Sequence, residues 1–125
     1  MDILNNHSSS NSSNPFFLYV GFQAAHTPHT VPEEYEDLYP HIHLPHYKPY
    51  YAMITAMDEA IGEMTTKLKQ LGLYENTIIV FLGDNGAPPQ MFNSNLPFNG
   101  FKATEYEGGT RTVAFVHSPL IPQQR

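Results

Sequence analysis

A chain of 125 residues, 41% hydrophobic and 14% charged, has the length of one domain and a globular composition, with room for a single small core. Its net charge of −6 sets 12 acidic residues against 6 scattered basic ones; this argues against a nucleic-acid partner, which clustered cations would hold, and no apolar run approaches the ~20 residues that span a bilayer. The absence of cysteine excludes disulfides, thiolate metal sites and cysteine nucleophiles within these residues.

Residues 1–14, MDILNNHSSSNSSN, form a Ser/Asn tract that buries too little apolar surface to offset its ordering entropy, so disorder is expected. It lacks the basic start and apolar stretch of a signal peptide. Asn6-His7-Ser8 and Asn11-Ser12-Ser13 fit the glycosylation sequon, which makes the chain a glycoprotein if it is secreted.

Residues 16–22, FFLYVGF, are an unalternated apolar run and read as a strand buried on both faces. Gln23-Ala24-Ala25-His26-Thr27-Pro28 follows at its carboxyl end. There His26 is either a ligand-contacting imidazole or a loop histidine with its own hydrogen bond. Residues 29–49 read as a long surface loop with a helical turn near Pro32, a residue favoured at a helix start. His41-x-His43-x-x-His46 has a zinc-compatible spacing but no cysteine or fixed element to complete four ligands.

Residues 50–71 are the clearest helix. Met53, Met57, Ala60, Ile61, Met64, Leu68 and Leu71 recur at three- and four-residue spacing, with Asp58, Glu59, Glu63, Thr66 and Lys69 on the other side. Gly72 stands just past the end, where a left-handed residue closes many helices.

Residues 77–82, TIIVFL, form a second unalternated apolar run, and Gly83-Asp84-Asn85-Gly86 breaks it. Ligands of parallel sheets gather at the carboxyl ends of the strands, and Asp84 and Asn85 offer hard oxygen donors of the kind Ca²⁺ takes. The same residues also fit a plain turn. A strand, a connection containing a helix and a second strand make a right-handed βαβ unit with parallel strands. An irregular polar stretch then leads to FKATEYEGGTR and to a third short strand over residues 112–116. Lys102 on its own reads as a solvated surface lysine.

PFFLYVGFQAAHTP, the helix YYAMITAMDEAIG with LGLYENTIIVFLGDNG, and GFKATEYEGGTRTVAFVHSPLI occur in the order and approximate spacing of the sulfatase family. The chain resembles the middle of a sulfatase catalytic domain of the arylsulfatase B-like branch over residues 15–122. The resemblance implies an α/β fold, here a partial alkaline-phosphatase-like sandwich with a mainly parallel sheet covered by helices, and hydrolysis of sulfate esters with Ca²⁺. It makes Asp84 and Asn85 metal ligands, and His26 and Lys102 catalytic residues that contact the sulfate, the lysine within a G-x-K-x-x-x-x-E-G-G-x-R motif.

The departures are specific. Sulfatases attack with a formylglycine made from the cysteine of a C-x-P-S-R motif, and this sequence has neither. Asn99 and Phe101 stand where basic residues often flank the lysine, and residues 87–95 lack the expected glycines. Residues 15–125 are therefore expected to be a fragment of a catalytic domain, inactive by itself, whose family acts on sulfated small molecules or glycans in the lysosome or on the secretory route. The alternatives are a metal-dependent phosphoesterase of the same superfamily and a non-catalytic pseudoenzyme or glycan-binding module.

Overall fold

A computed structural model describes residues 2–10, 13–89 and 94–122. They form two compact units, residues 1–74 and 75–125, and each is treated by itself.

In the first unit, part of the tract expected to be disordered is ordered. Asp2–Ser9 forms helix α1. Leu4 is buried, the His7 ring lies 5.0 Å from that of Phe16, and the Ser10 hydroxyl donates to the His7 carbonyl at 2.8 Å. A single apolar anchor and local hydrogen bonds supply what composition alone denied. Asn6 of the first sequon lies within α1, whereas Asn11 of the second falls outside the described residues.

Residues 16–22 belong to no ladder, so the expected strand and its parallel pairing are not formed among the described residues. A strand is made by its partner's hydrogen bonds and not by an apolar sequence alone. Phe17 and Tyr19 are 92% and 83% exposed, so this run is not buried on both faces.

Helix α2, Glu33–Glu36, starts after Pro32 as expected. Helix α3, Tyr47–Gln70, begins three residues before the expected start. Pro49 falls in its first turn, where a missing N–H costs no helical bond. Ala52, Met53 and Leu68 are buried, while Asp58, Glu59, Glu63, Thr66 and Lys69 are exposed, so the 3.6-residue pattern assigned the faces correctly. Gly72 has φ 68°, with its N–H on the Lys69 carbonyl at 3.1 Å and the Leu73 N–H on the Leu68 carbonyl at 2.9 Å. This is the 5→2 and 6→1 closure that a left-handed glycine permits. The tyrosines lock α2 and the following turn onto α3: the Tyr35 hydroxyl donates to Glu59, and the Tyr39 and Thr55 hydroxyls lie 2.6 Å apart. Tyr47 and Tyr51 stack, and Tyr51 also meets Tyr39 at 5.9 Å.

In the second unit β1, Ile79–Leu82, pairs antiparallel with β2, Ala114–His117, in the register Val80 to Val116 and Phe81 to Phe115. β1 alternates in burial, so it too is not covered on both faces. Ile79 and Phe81 are half-buried, and Phe81 stacks on Phe115 at 5.1 Å and 14°, while Val80 and Leu82 are 58% and 63% exposed. The buried Ser118 hydroxyl donates to the Thr77 carbonyl at 2.7 Å at one end of the ladder. At the other end the Gly83 N–H donates to Val113, and the Thr112 hydroxyl donates to the Gly83 carbonyl at 2.8 Å. A short helix, α4 at Glu107–Thr110, precedes β2.

Candidate functional site

With Gly83 tied on both sides, Asp84 and Asn85 emerge at the carboxyl end of β1, where the strand pattern puts them. Asp84 is exposed, and its Oδ1 accepts the Asn85 N–H at 2.9 Å. The Asn85 side chain holds the Asp84 carboxyl below its ordinary range. Burial opposes this, and backbone N–H groups and, last, the Lys102 charge add to the lowering. Asp84 is therefore an anion at neutral pH and feels the ammonium of Lys102.

Backbone packing brings Lys102 there. The Gly86 N–H donates to the Gly109 carbonyl at 2.9 Å, and a Cβ at Gly86 would sit 1.7 Å from the Gly108 carbonyl oxygen. A Cβ at Gly108 would come within 2.2 Å of the Gly100 carbonyl, and one at Gly109 within 2.4 Å of the Thr104 carbonyl. The glycines of the lysine motif thus let three backbone segments touch where any side chain would hold them apart. Lys102 and Ala103 are the middle residues of a tight turn closed by the Thr104 N–H on the Phe101 carbonyl at 2.9 Å, with Ala103 at φ 72°. The Lys102 N–H donates to the Ala87 carbonyl at 3.2 Å. The last two polar residues of the motif serve each other. Arg111 pairs with Glu107 at 3.3 Å, both side chains exposed, and lies over the half-buried Phe98 ring at 4.6 Å.

His26 belongs to the first unit. Its N–H donates to the Gln23 carbonyl at 2.8 Å, and its ring Nδ1 lies 2.7 Å from the Thr27 carbonyl. A carbonyl only accepts, so Nδ1 carries the proton there, and Nε2 can donate only when the ring is an imidazolium. The structure therefore gathers Asp84, Asn85 and Lys102 within one unit and places His26 in the other.

The Asp84 carboxylate and the Asn85 amide fit Ca²⁺ in kind, as hard oxygen donors, and supply two of the six to eight it takes. Among the described residues no three of His, Cys, Asp and Glu gather around one point, so His41, His43 and His46 do not form a zinc set.

Sequence reasoning missed Asn95, whose side chain binds Ala87 twice and Gly100 once. It lies in a polar stretch with no periodicity to mark it. Thr112 likewise shows in the sequence only as the start of a strand, with nothing local to mark its hydroxyl bond to Gly83.

The family model described as Sulfatase matches residues 1–125. Arylsulfatase J of Mus musculus is 46% identical over 107 residues, which cover 86% of this chain and 18% of that protein. The ulvan-active sulfatase of Formosa agariphila is 33% identical over 129 residues, which cover 89% and 24%. The crystal structure of Ps i-CgsB in complex with k-i-k-neocarrahexaose superposes with a TM-score of 0.80 at 33% identity, over 94% of this chain and 28% of that one. The chain thus spans about a fifth of the length of these curated relatives. The α/β, alkaline-phosphatase-like class is the fold of this partial domain, although its described sheet is a two-stranded antiparallel one. A family match across every residue, together with relatives at a third to nearly half identity, shows that the chain belongs to the sulfatase family.

Proposed function

We propose that this chain supplies part of an arylsulfatase-type site for sulfate ester hydrolysis. The observation that carries the reading is the backbone bond from Lys102 to Ala87, which ties the lysine turn to the loop leaving Asp84 and Asn85 in a chain of this family. Sulfate esters bear their charge on oxygens around sulfur, and hydrogen-bond donors and cations aimed at those oxygens stabilise what develops in the transition state. In this reading the Lys102 ammonium donates to a sulfate oxygen. Asp84 and Asn85 would hold Ca²⁺, which when bound would withdraw charge from the sulfate oxygens. The substrate class is a sulfated small molecule or glycan, and the compartment is the lysosome or the secretory route.

The 125 residues contain no cysteine from which a formylglycine could be made. This favours a second reading for the chain in isolation, a non-catalytic module that retains a sulfate-holding surface. A chimera separates the two. The chain would replace the matched segment of mouse arylsulfatase J and be assayed on an aryl sulfate and on an aryl phosphate. Turnover of the sulfate, falling about 100-fold or more in Lys102→Met or Asp84→Ala, supports the hydrolase reading. A folded chimera with no turnover supports the binding module, and preference for the phosphate supports a phosphoesterase.

A further inference from the structure

The Asn95 side chain makes three hydrogen bonds, and all of them end on backbone. Its Oδ1 accepts the Ala87 N–H at 2.9 Å, while its Nδ2 donates to the Ala87 carbonyl at 2.9 Å and to the Gly100 carbonyl at 3.3 Å. The N–H can only donate and the two carbonyls can only accept, so the partners fix which end of the amide is which. Asn95 is only part-buried, yet its three bonds tie together the loop leaving Asp84-Asn85 and the loop entering Lys102.

The local chain explains why one carboxamide can hold both groups of Ala87. Pro88 follows, and a residue before proline is driven to extended backbone, in which its N–H and C=O project to the same side as they do across an antiparallel pair. Asn95 occupies that side as a partner peptide would. The Ala87 carbonyl then has two lone pairs and two donors, Asn95 Nδ2 and the Lys102 N–H. Were Asn95 lost, the Ala87 peptide could rotate, and the bond that places Lys102 would lose its fixed acceptor.

We infer that Asn95 is a positioning residue that sets Lys102 against the Asp84-Asn85 loop by fixing the Ala87 peptide. Its side-chain bonds go to the Ala87 and Gly100 backbone. The inference deepens the sulfate-site reading and rests on it for its functional consequence, but the clamp itself is a matter of geometry and is tested apart from it.

The test uses the ¹⁵N-labelled 125-residue chain with Asn95→Ala and Asn95→Asp. Asn95→Asp keeps the acceptor for the Ala87 N–H and loses both donated bonds. Amide exchange at Lys102 is expected to speed at least tenfold in Asn95→Ala and by less in Asn95→Asp, with the Gly83 amide, bonded to Val113, unchanged. Lys102 protection equal to that of the parent chain in both variants overturns the clamp. Inorganic sulfate is then titrated in Ca²⁺ buffer into the parent, Asn95→Ala, Lys102→Met and the double variant. Asn95→Ala is expected to weaken sulfate binding severalfold in the parent and to add nothing in the Lys102→Met background. An equal loss in both backgrounds means that Asn95 does not act through Lys102, and it overturns the positioning role. If Lys102→Met leaves sulfate binding unchanged while the exchange result holds, the sulfate-site reading fails and the clamp stands.

Discussion

Ala103 holds φ 72° in the turn beside Lys102, a conformation that costs an L-residue about 1–2 kcal/mol. Ala103→Gly removes that cost and gives back part of it through a freer unfolded chain, so a net gain of about 0.5–1 kcal/mol is expected. A higher urea midpoint at unchanged m checks it. Asp84 offers a second test at this scale. Its carboxyl is held below the ordinary range chiefly by the Asn85 side chain, so the ionised form stabilises the fold above the ordinary aspartate value near 3.9, and that contribution disappears as pH falls through the lower folded value. The stability gap between the parent and Asp84→Asn should be present at pH 6 and close as the pH falls below the ordinary aspartate value; a gap that stays constant would contradict the assignment. The sequence pattern pointed to Asp84 and Asn85 because an apolar run ends at them, whereas Lys102 was marked only by the resemblance to the sulfatase motif and on its own reads as a surface lysine. Asn95 stayed hidden, since its importance lies in hydrogen bonds to residues eight and five positions away.

Among the elements, α3 and its glycine stop were legible because helix periodicity and capping are local. The pairing of β1 with β2 was not, since 31 residues lie between Leu82 and Ala114 and no local pattern encodes which edges meet across such a connection. Burial of both strand runs was over-read for the same reason: an apolar run shows what a strand tolerates and not what covers it. The α2–α3 junction supplies a prediction at this scale. The hydrogen bond from Tyr35 to Glu59 raises the phenol above its ordinary value of 10.0. That stabilisation is complete below pH 10 and is lost as pH rises through the higher folded value. Tyr35→Phe should therefore lower the melting temperature at pH 7 and lose less than the parent between pH 9 and 11.5, as followed by circular dichroism. Identical alkaline profiles would show that the pair carries no linked proton.

For the molecule as a whole, the balance between covered and uncovered apolar surface matters most. Leu4, Ala52, Met53 and Leu68 are the buried hydrophobic residues among those described, a small core for a domain of this length. Val80, Leu82 and Val116 share one open face of the two-stranded sheet, each more than half exposed, and such a sheet is at best marginally stable with neither face covered. The chain should therefore bind a hydrophobic dye in its folded state and scatter more light as concentration rises. Leu82→Lys should reduce both signals at little cost in stability, because the side chain it replaces already faces water; an unchanged dye signal would place the sticky surface elsewhere. The glycine packing bears on any attempt to borrow this chemistry. Because a single methyl at Gly86 would overlap the Gly108 carbonyl, a designer grafting the Asp-Asn pair onto another scaffold would have to transplant residues 83–112 as one indivisible cassette.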